Sequence, residues 1–177
     1  PSFLTRSFGM GTGEIGTWFG LILGIPGGIG IALGGYLADR FGAHDPKWFL
    51  WTTAVALIIC VPLNIVVFIS TNSTTALLAM ILPVLLGNFY QATTFSQTQG
   101  ISALRMRAVA AGILLFIINI IGLGLGPQLV GILSDVLNPE YGDESLRYAL
   151  LICSLVYVWA AVHYFIAGRH LGGDLVV

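Results

Sequence analysis

The residues with the strongest chemical character fall into three groups. The first is Asp39-Arg40, set between Gly35 and Gly42 in Gly35-Tyr36-Leu37-Ala38-Asp39-Arg40-Phe41-Gly42. A carboxylate here can face a helix N-terminus or pair with a cation, and the guanidinium beside it can fork onto a phosphate or carboxylate. Gly35 is expected to thin the helix end for close contact, and Gly42 to permit a tight reversal. The second group is uncharged: Asn88, Gln91, Thr94 and Thr98, with Phe95 and Gln99 in the same arc at roughly 100° per residue. Amides and hydroxyls suit recognition by hydrogen bonding. Facing lipid would leave them unsatisfied, so they must meet a neighbouring helix or a watery cavity. The cavity is favoured because the polar face is extended. Asn119 is a further candidate, either for substrate contact or for a helix–helix hydrogen bond. His163, near Tyr157 and Tyr164, is expected to be neutral and hydrogen-bonded, and Asn64 to be a packing amide.

Other patterns point away from enzyme chemistry. Gly11-Thr12-Gly13-Glu14-Ile15-Gly16 spells a dinucleotide fingerprint, but no strand precedes it and an apolar span follows. A helix start explains it better, with Thr12 as cap and Glu14 in the first turn. Cys60 and Cys153 sit in apolar surroundings with no thiol or imidazole at ligand spacing, so buried free thiols are expected. No metal, cofactor or catalytic residue is expected. Asn72-Ser73-Thr74 is a glycosylation sequon in a loop too short for modification.

The elements that carry these residues follow from composition. Only 8% of the 177 residues are charged, 56% are hydrophobic and 23 are glycine. So few charges cannot cover a water-soluble domain, and disorder needs the opposite composition. Seven scattered basic residues against eight acidic ones exclude a nucleic-acid surface. An all-α integral membrane protein remains, since a spanning helix takes about 20 apolar residues. Spans are expected at about 14–38, 48–70, 75–100, 108–134 and 147–168, preceded by the end of another helix at about 1–9. That gives five complete transmembrane helices and a stub. Arg40, Lys47, Arg105, Arg107 and Arg169 then share one side, against Arg6 and Arg147 on the other. The bias places the C-terminus in the cytoplasm. The opening Pro-Ser-Phe-Leu-Thr-Arg follows no signal-peptide core, so an internal start is expected.

Gly16, Gly20, Gly24 and Gly28, with Ala32 next, recur every four residues in the first full span, which Pro26 interrupts. This ridge is expected to admit a neighbouring backbone. The 108–134 span has a matching character in Gly112, Gly122, Gly124, Gly126, Pro127 and Gly131. Two Gly/Pro-interrupted spans, each the middle of three, predict an inverted repeat.

The Gly35–Gly42 stretch resembles the signature loop of the major facilitator superfamily (MFS), Gly-x-Leu-x-Asp-Arg-x-Gly. Its usual basic tail is replaced by Ala43-His44-Asp45. Arg105-Met-Arg107-Ala-Val-Ala-Ala-Gly112, continuing through Asn119 and Gly126-Pro127 to Gly131-Ile-Leu-Ser134-Asp135, is similar to the eleventh helix of the spinster-like branch. Ser145-Leu-Arg147-Tyr148 resembles the start of the twelfth. The resemblance covers residues 1–177 and implies the C-terminal six-helix bundle of a twelve-helix secondary transporter, helices seven to twelve. It further implies alternating access against an absent N-terminal half, carrying a small organic or amphipathic solute. Gly35, Asp39, Arg40 and Gly42 would form the cytoplasmic gate motif, and Arg105 and Arg107 its contacts. Gly126, Pro127 and Gly131 would bend and pack helix eleven, with Asp135 at its outer rim. Helix ten, which would bear Asn88 to Thr98, lines the pathway in that superfamily. No Asp, Glu, Lys or Arg lies near the middle of a complete span, so if transport is proton-driven the coupling acid must lie in the other half. An organic-anion carrier of another MFS branch is the second reading. A non-transporting scaffold or a membrane-embedded enzyme is the reading of another class. The partners expected are the bilayer, the N-terminal half and a small-molecule substrate, with no nucleic acid, and the location a bacterial inner membrane.

Overall fold

The computed structural model describes residues 2–174; Pro1, the first residue of the expected stub, lies outside them. The described residues are helical throughout, with short turns: α1 Ser2–Phe8, α2 Thr12–Gly42, α3 Trp48–Ile69, α4 Ser73–Gly87, α5 Phe89–Gly100, α6 Arg107–Ile117, α7 Gly126–Tyr141, α8 Ser145–Cys153 and α9 Val156–Asp174. A π-helical segment, Ile118–Leu125, joins α6 to α7. Helices alone satisfy every backbone group within their own segment, which an apolar chain in lipid requires. Four runs are long and apolar enough to cross a bilayer: 12–42, 48–69, 73–100 and the 104–173 stretch, which folds back on itself. At 1.5 Å per residue α2 is about 46 Å long, so its charged end at Asp39-Arg40 projects beyond a hydrocarbon layer of about 30 Å.

The packing register of α2 differs from the one expected. Gly16, Gly20, Gly24 and Gly28 face open space, and no atom lies within 4 Å of where a Cβ would sit. The glycines that admit a neighbour are Gly27, Gly30 and Gly34, on the buried side. A Cβ on Gly30 would overlap the Leu85 carbonyl oxygen of α4, and one on Gly34 would lie 2.7 Å from the Phe89 Cα of α5. Both rows have small-residue spacing, and the bulky neighbours decide between them: Ile15 and Ile22 are buried with the second row. The start of α2 is corrected too. Its N-cap is Gly11 in extended conformation without a side-chain cap, and Thr12 is already helical; Glu14 does lie in the first turn.

The run at 75–100 is not one uninterrupted helix. It breaks for one residue at Asn88, where α4 gives way to α5. The run at 108–134 extends to Tyr141 and widens to π geometry in its middle. Pro127 offers no N–H, and its ring excludes the carbonyl four residues back. The Gly126 N–H reaches Ile121 O instead, five residues back, and the helix bulges to absorb the proline.

Two glycines make the tight turns at one end of the bundle. Gly9, φ +66°, turns α1 into α2, and Gly142, φ +52°, turns α7 back towards α8. The core lies in two clusters. Phe3 and Leu4 of α1 pack with Ile15, Ile22, Leu77 and Leu146, the Phe3 ring meeting Phe68 edge-on at 5.5 Å. Ala54 and Leu57 of α3 pack with Ala161 of α9. Polar bonds join helices within this frame: Thr53 to Thr93 at 2.6 Å, fully buried, and the Trp51 indole to the Phe165 carbonyl at 3.1 Å.

Candidate functional site

The gate motif ends α2. Asp39 and Arg40 are both exposed, and Arg40 Nη1 donates to Tyr36 Oη, one turn back, at 3.3 Å. The pair is therefore presented outward rather than consumed within the bundle. Gly42 does not make a left-handed reversal, since the positive-φ glycines among the described residues are Gly9 and Gly142. Gly42 is helical and buried under the Phe49 ring, where a Cβ would lie 2.7 Å from three ring carbons. The motif needs glycine there for close approach, so that α3 can lie against the end of α2. Gly35 faces Ala92 at ordinary contact distance. The turn that follows is held by Lys47 Nζ, 2.6 Å from Asp45 Oδ2, and by the Lys47 N–H donating to Asp45 Oδ1. The hydrogen bond from the Lys47 side chain holds the Asp45 carboxyl below its ordinary range, with backbone and charge contributions in the same direction. Arg105 is exposed, and Arg107 Nε donates to the Ser102 carbonyl at 3.4 Å.

The extended polar face is divided three ways. Asn88 donates to the Val84 carbonyl at 2.7 Å and accepts from Gln91 Nε2 at 3.0 Å, so these amides are largely satisfied by their own helix and each other. Asn88 also lies beside Gly27 of α2. Thr94 crosses to α9 and shares a 2.6 Å hydrogen bond with Tyr164 Oη. Thr98 lines a cavity of about 350 Å³ between α3, α5 and α9, with Gln97, His163 and His170. Asn119 is exposed and donates to Leu115 O in its own helix. His163 is bonded through Nδ1 to the Trp159 carbonyl at 2.9 Å.

A larger cavity, about 990 Å³, opens between the π segment, α7 and α9, and none of the amides singled out above reaches it. Tyr90 of α5 and Tyr157 and Tyr164 of α9 give it apolar walls with hydroxyl tips. Gly122, Gly126, Pro127 and Gly131 line its opposite side. Arg6 and Asp135 also border it. Asp135 therefore belongs to the wall: α7 continues to Tyr141, so the carboxylate lies inside the helix, about 9 Å from its end. Tyr90 was not singled out by sequence. Its signal was its neighbour Gln91, a polar-tipped aromatic beside an amide within an apolar run. Both cavities fall within the size range of small-molecule sites, and Tyr164 borders both.

No protein-family model matches the chain. Over 99% of its length it is 31% identical to an MFS-type efflux pump of Mycolicibacterium smegmatis, of which it spans 41%. Two inward-facing structures of a bacterial homologue of the human lysosomal transporter Spinster superpose on 99% of the chain at 25% identity. The unoccupied one has a TM-score of 0.85 and the occupied one 0.80, and the chain covers 44% and 45% of them. The chain thus spans less than half the length of these relatives. This integral membrane chain is similar in sequence to a little under half of an MFS-type efflux pump and in fold to a little under half of a bacterial Spinster homologue, consistent with the C-terminal half of a spinster-like transporter of the major facilitator superfamily.

Proposed function

We propose that the chain forms one half of a carrier that moves a small organic or amphipathic solute across a bacterial inner membrane by alternating access. The observation that carries this reading is the cavity of about 990 Å³. Its three tyrosines offer apolar surface with hydrogen-bonding tips, which suits an amphipathic solute. Its far wall is a π-bulged helix rich in glycine, a geometry that can re-form its hydrogen bonds as the helix bends. The complementary wall would come from an N-terminal six-helix half. Asp39 and Arg40 would latch against it on the cytoplasmic face, with Arg105 and Arg107 meeting its loops and the C-terminus on the same side. Gly35 and Gly42 would set the latch by letting α5 and α3 close on α2. Asn88, Gln91, Thr94 and Asn119 support the path from α5 and the π segment, Asn88 and Gln91 by holding the helix break in shape, whereas Thr98 faces the smaller cavity. Gly126, Pro127 and Gly131 supply the bend, and Asp135 the charged end of the chamber.

The coding sequence upstream of Pro1 provides the first test: about 200 further residues with six spans are expected. A start codon directly before Pro1, with no upstream spans, would remove the two-half carrier. Transport is then tested in proteoliposomes with ethidium and a fluorescent lysolipid, with and without a pH gradient. Saturable flux is expected for an amphipathic probe. Flux indifferent to the gradient would count against proton coupling.

A further inference from the structure

The smaller cavity, about 350 Å³ between α3, α5 and α9, has a chemistry that the carrier reading does not use. Gln97 lines it and is 8% exposed, yet its side-chain amide has no hydrogen-bond partner among the described residues. The residue is largely buried but its amide group opens onto the cavity, where it is free to bond a bound group. The Thr98 hydroxyl beside it is also unpaired among the described residues, and His163 and His170 complete the polar wall from α9. Gln97, Thr98 and His170 can supply donors here, whereas the Nδ1–H of His163 is spent on the Trp159 carbonyl; no carboxylate is among the lining residues. The rest of the lining is aliphatic, with Leu50, Ile101 and Leu171. Thr94 and Tyr164 bond to each other across the inner end, which separates this space from the larger cavity.

We propose that this cavity is a binding site for a phosphate group, with Gln97 and Thr98 as inner donors and His163 and His170 at the mouth. The phosphate arrives either on an anionic lipid, whose chains would lie along the aliphatic residues, or as the dissolved ion. The site stands apart from the solute path and does not depend on transport.

The test follows the melting midpoint of the protein, at its full natural length in detergent micelles, against phosphatidylglycerol, phosphatidylcholine and inorganic phosphate. Phosphatidylglycerol is expected to raise the midpoint at about fivefold lower concentration than phosphatidylcholine. Gln97→Leu and, separately, the surface change His170→Gln are each expected to abolish that preference. If inorganic phosphate raises the midpoint as well, and the same substitutions remove the effect, the dissolved ion is the source and the site stands. Equal response to the two lipids with no response to phosphate, or a preference that survives both substitutions, overturns the proposal. Flux plays no part in the readout, so failure here and failure of the carrier reading are separate results.

Discussion

Two glycine-rich helices of this chain use glycine in opposite ways. In α2, Gly27, Gly30, Gly34 and Gly42 are buried, and three of them hold a neighbour so close that no Cβ fits. In α6, the π segment and α7, the glycines at 112, 122 and 131 have no neighbouring atom within 4 Å, and Ser134 is the single buried residue. The first helix is locked into a bundle with α3, α4 and α5. The second stands as an outer wall whose backbone is adjustable. Glycine count is the same signal in both places, but its physical meaning is set by what packs opposite.

That contrast can be broken most forcefully at Gly30. Gly30→Val places a side chain on the Leu85 carbonyl oxygen, a backbone atom that cannot swing aside. Overpacking of this kind costs about 1–3 kcal/mol and more where backbone must move, so melting midpoint and folded yield should both fall. An unchanged midpoint would mean that α2 and α4 are not locked. A smaller effect is expected where the bundle meets α9. Thr94→Val removes the 2.6 Å bond to Tyr164 at nearly constant volume, at a cost of about 1 kcal/mol. The double change with Tyr164→Phe should cost little more than either alone, and full additivity would show that the bond contributes nothing. In the outer wall, Gly122→Ala meets open space and should shift stability by less than about 0.5 kcal/mol. A loss as large as that at Gly30 would erase the distinction between the two helices.

The smallest effect belongs to the α2–α3 turn. The lowered pKa of Asp45 means that the folded state holds this carboxylate ionised more firmly than the unfolded chain does. The contribution is present at neutral pH and is lost as pH falls through the acid range to the lowered folded value. Lys47→Ala should move the Asp45 titration upward, read by carboxyl chemical shift. No movement would assign the shift to something other than Lys47.

Much of the architecture was legible from residues alone, because an apolar chain in lipid has few options other than helices. Register was not. The rows at Gly16–Gly28 and Gly27–Gly34 share the same small-residue rhythm, and only the side chains of α4 and α5 reveal which one is covered. Asn88, Thr94 and Thr98 lie on one helical arc by counting, yet Asn88 bonds Val84 and Gln91 at the helix break, Thr94 bonds Tyr164 of α9, and Thr98 faces the smaller cavity. The π segment follows from Pro127 only once the chain is seen to continue as helix on both sides of it. By sequence Asp135 falls at the outer rim, one residue past the expected 108–134 span. In the structure α7 runs through Pro139 to Tyr141 and stops at Gly142, so the acid borders the cavity.

The central claim is that the larger cavity is the solute path, and Gly131 gives the most direct access to it. Gly131 lines that cavity, and nothing lies within 4 Å of where its Cβ would sit. Gly131→Trp therefore fills the chamber without pressing on its immediate surroundings. Flux through the full-length protein in proteoliposomes should fall to the protein-free background while the variant stays folded and monodisperse. Wild-type flux with the chamber filled would contradict the account.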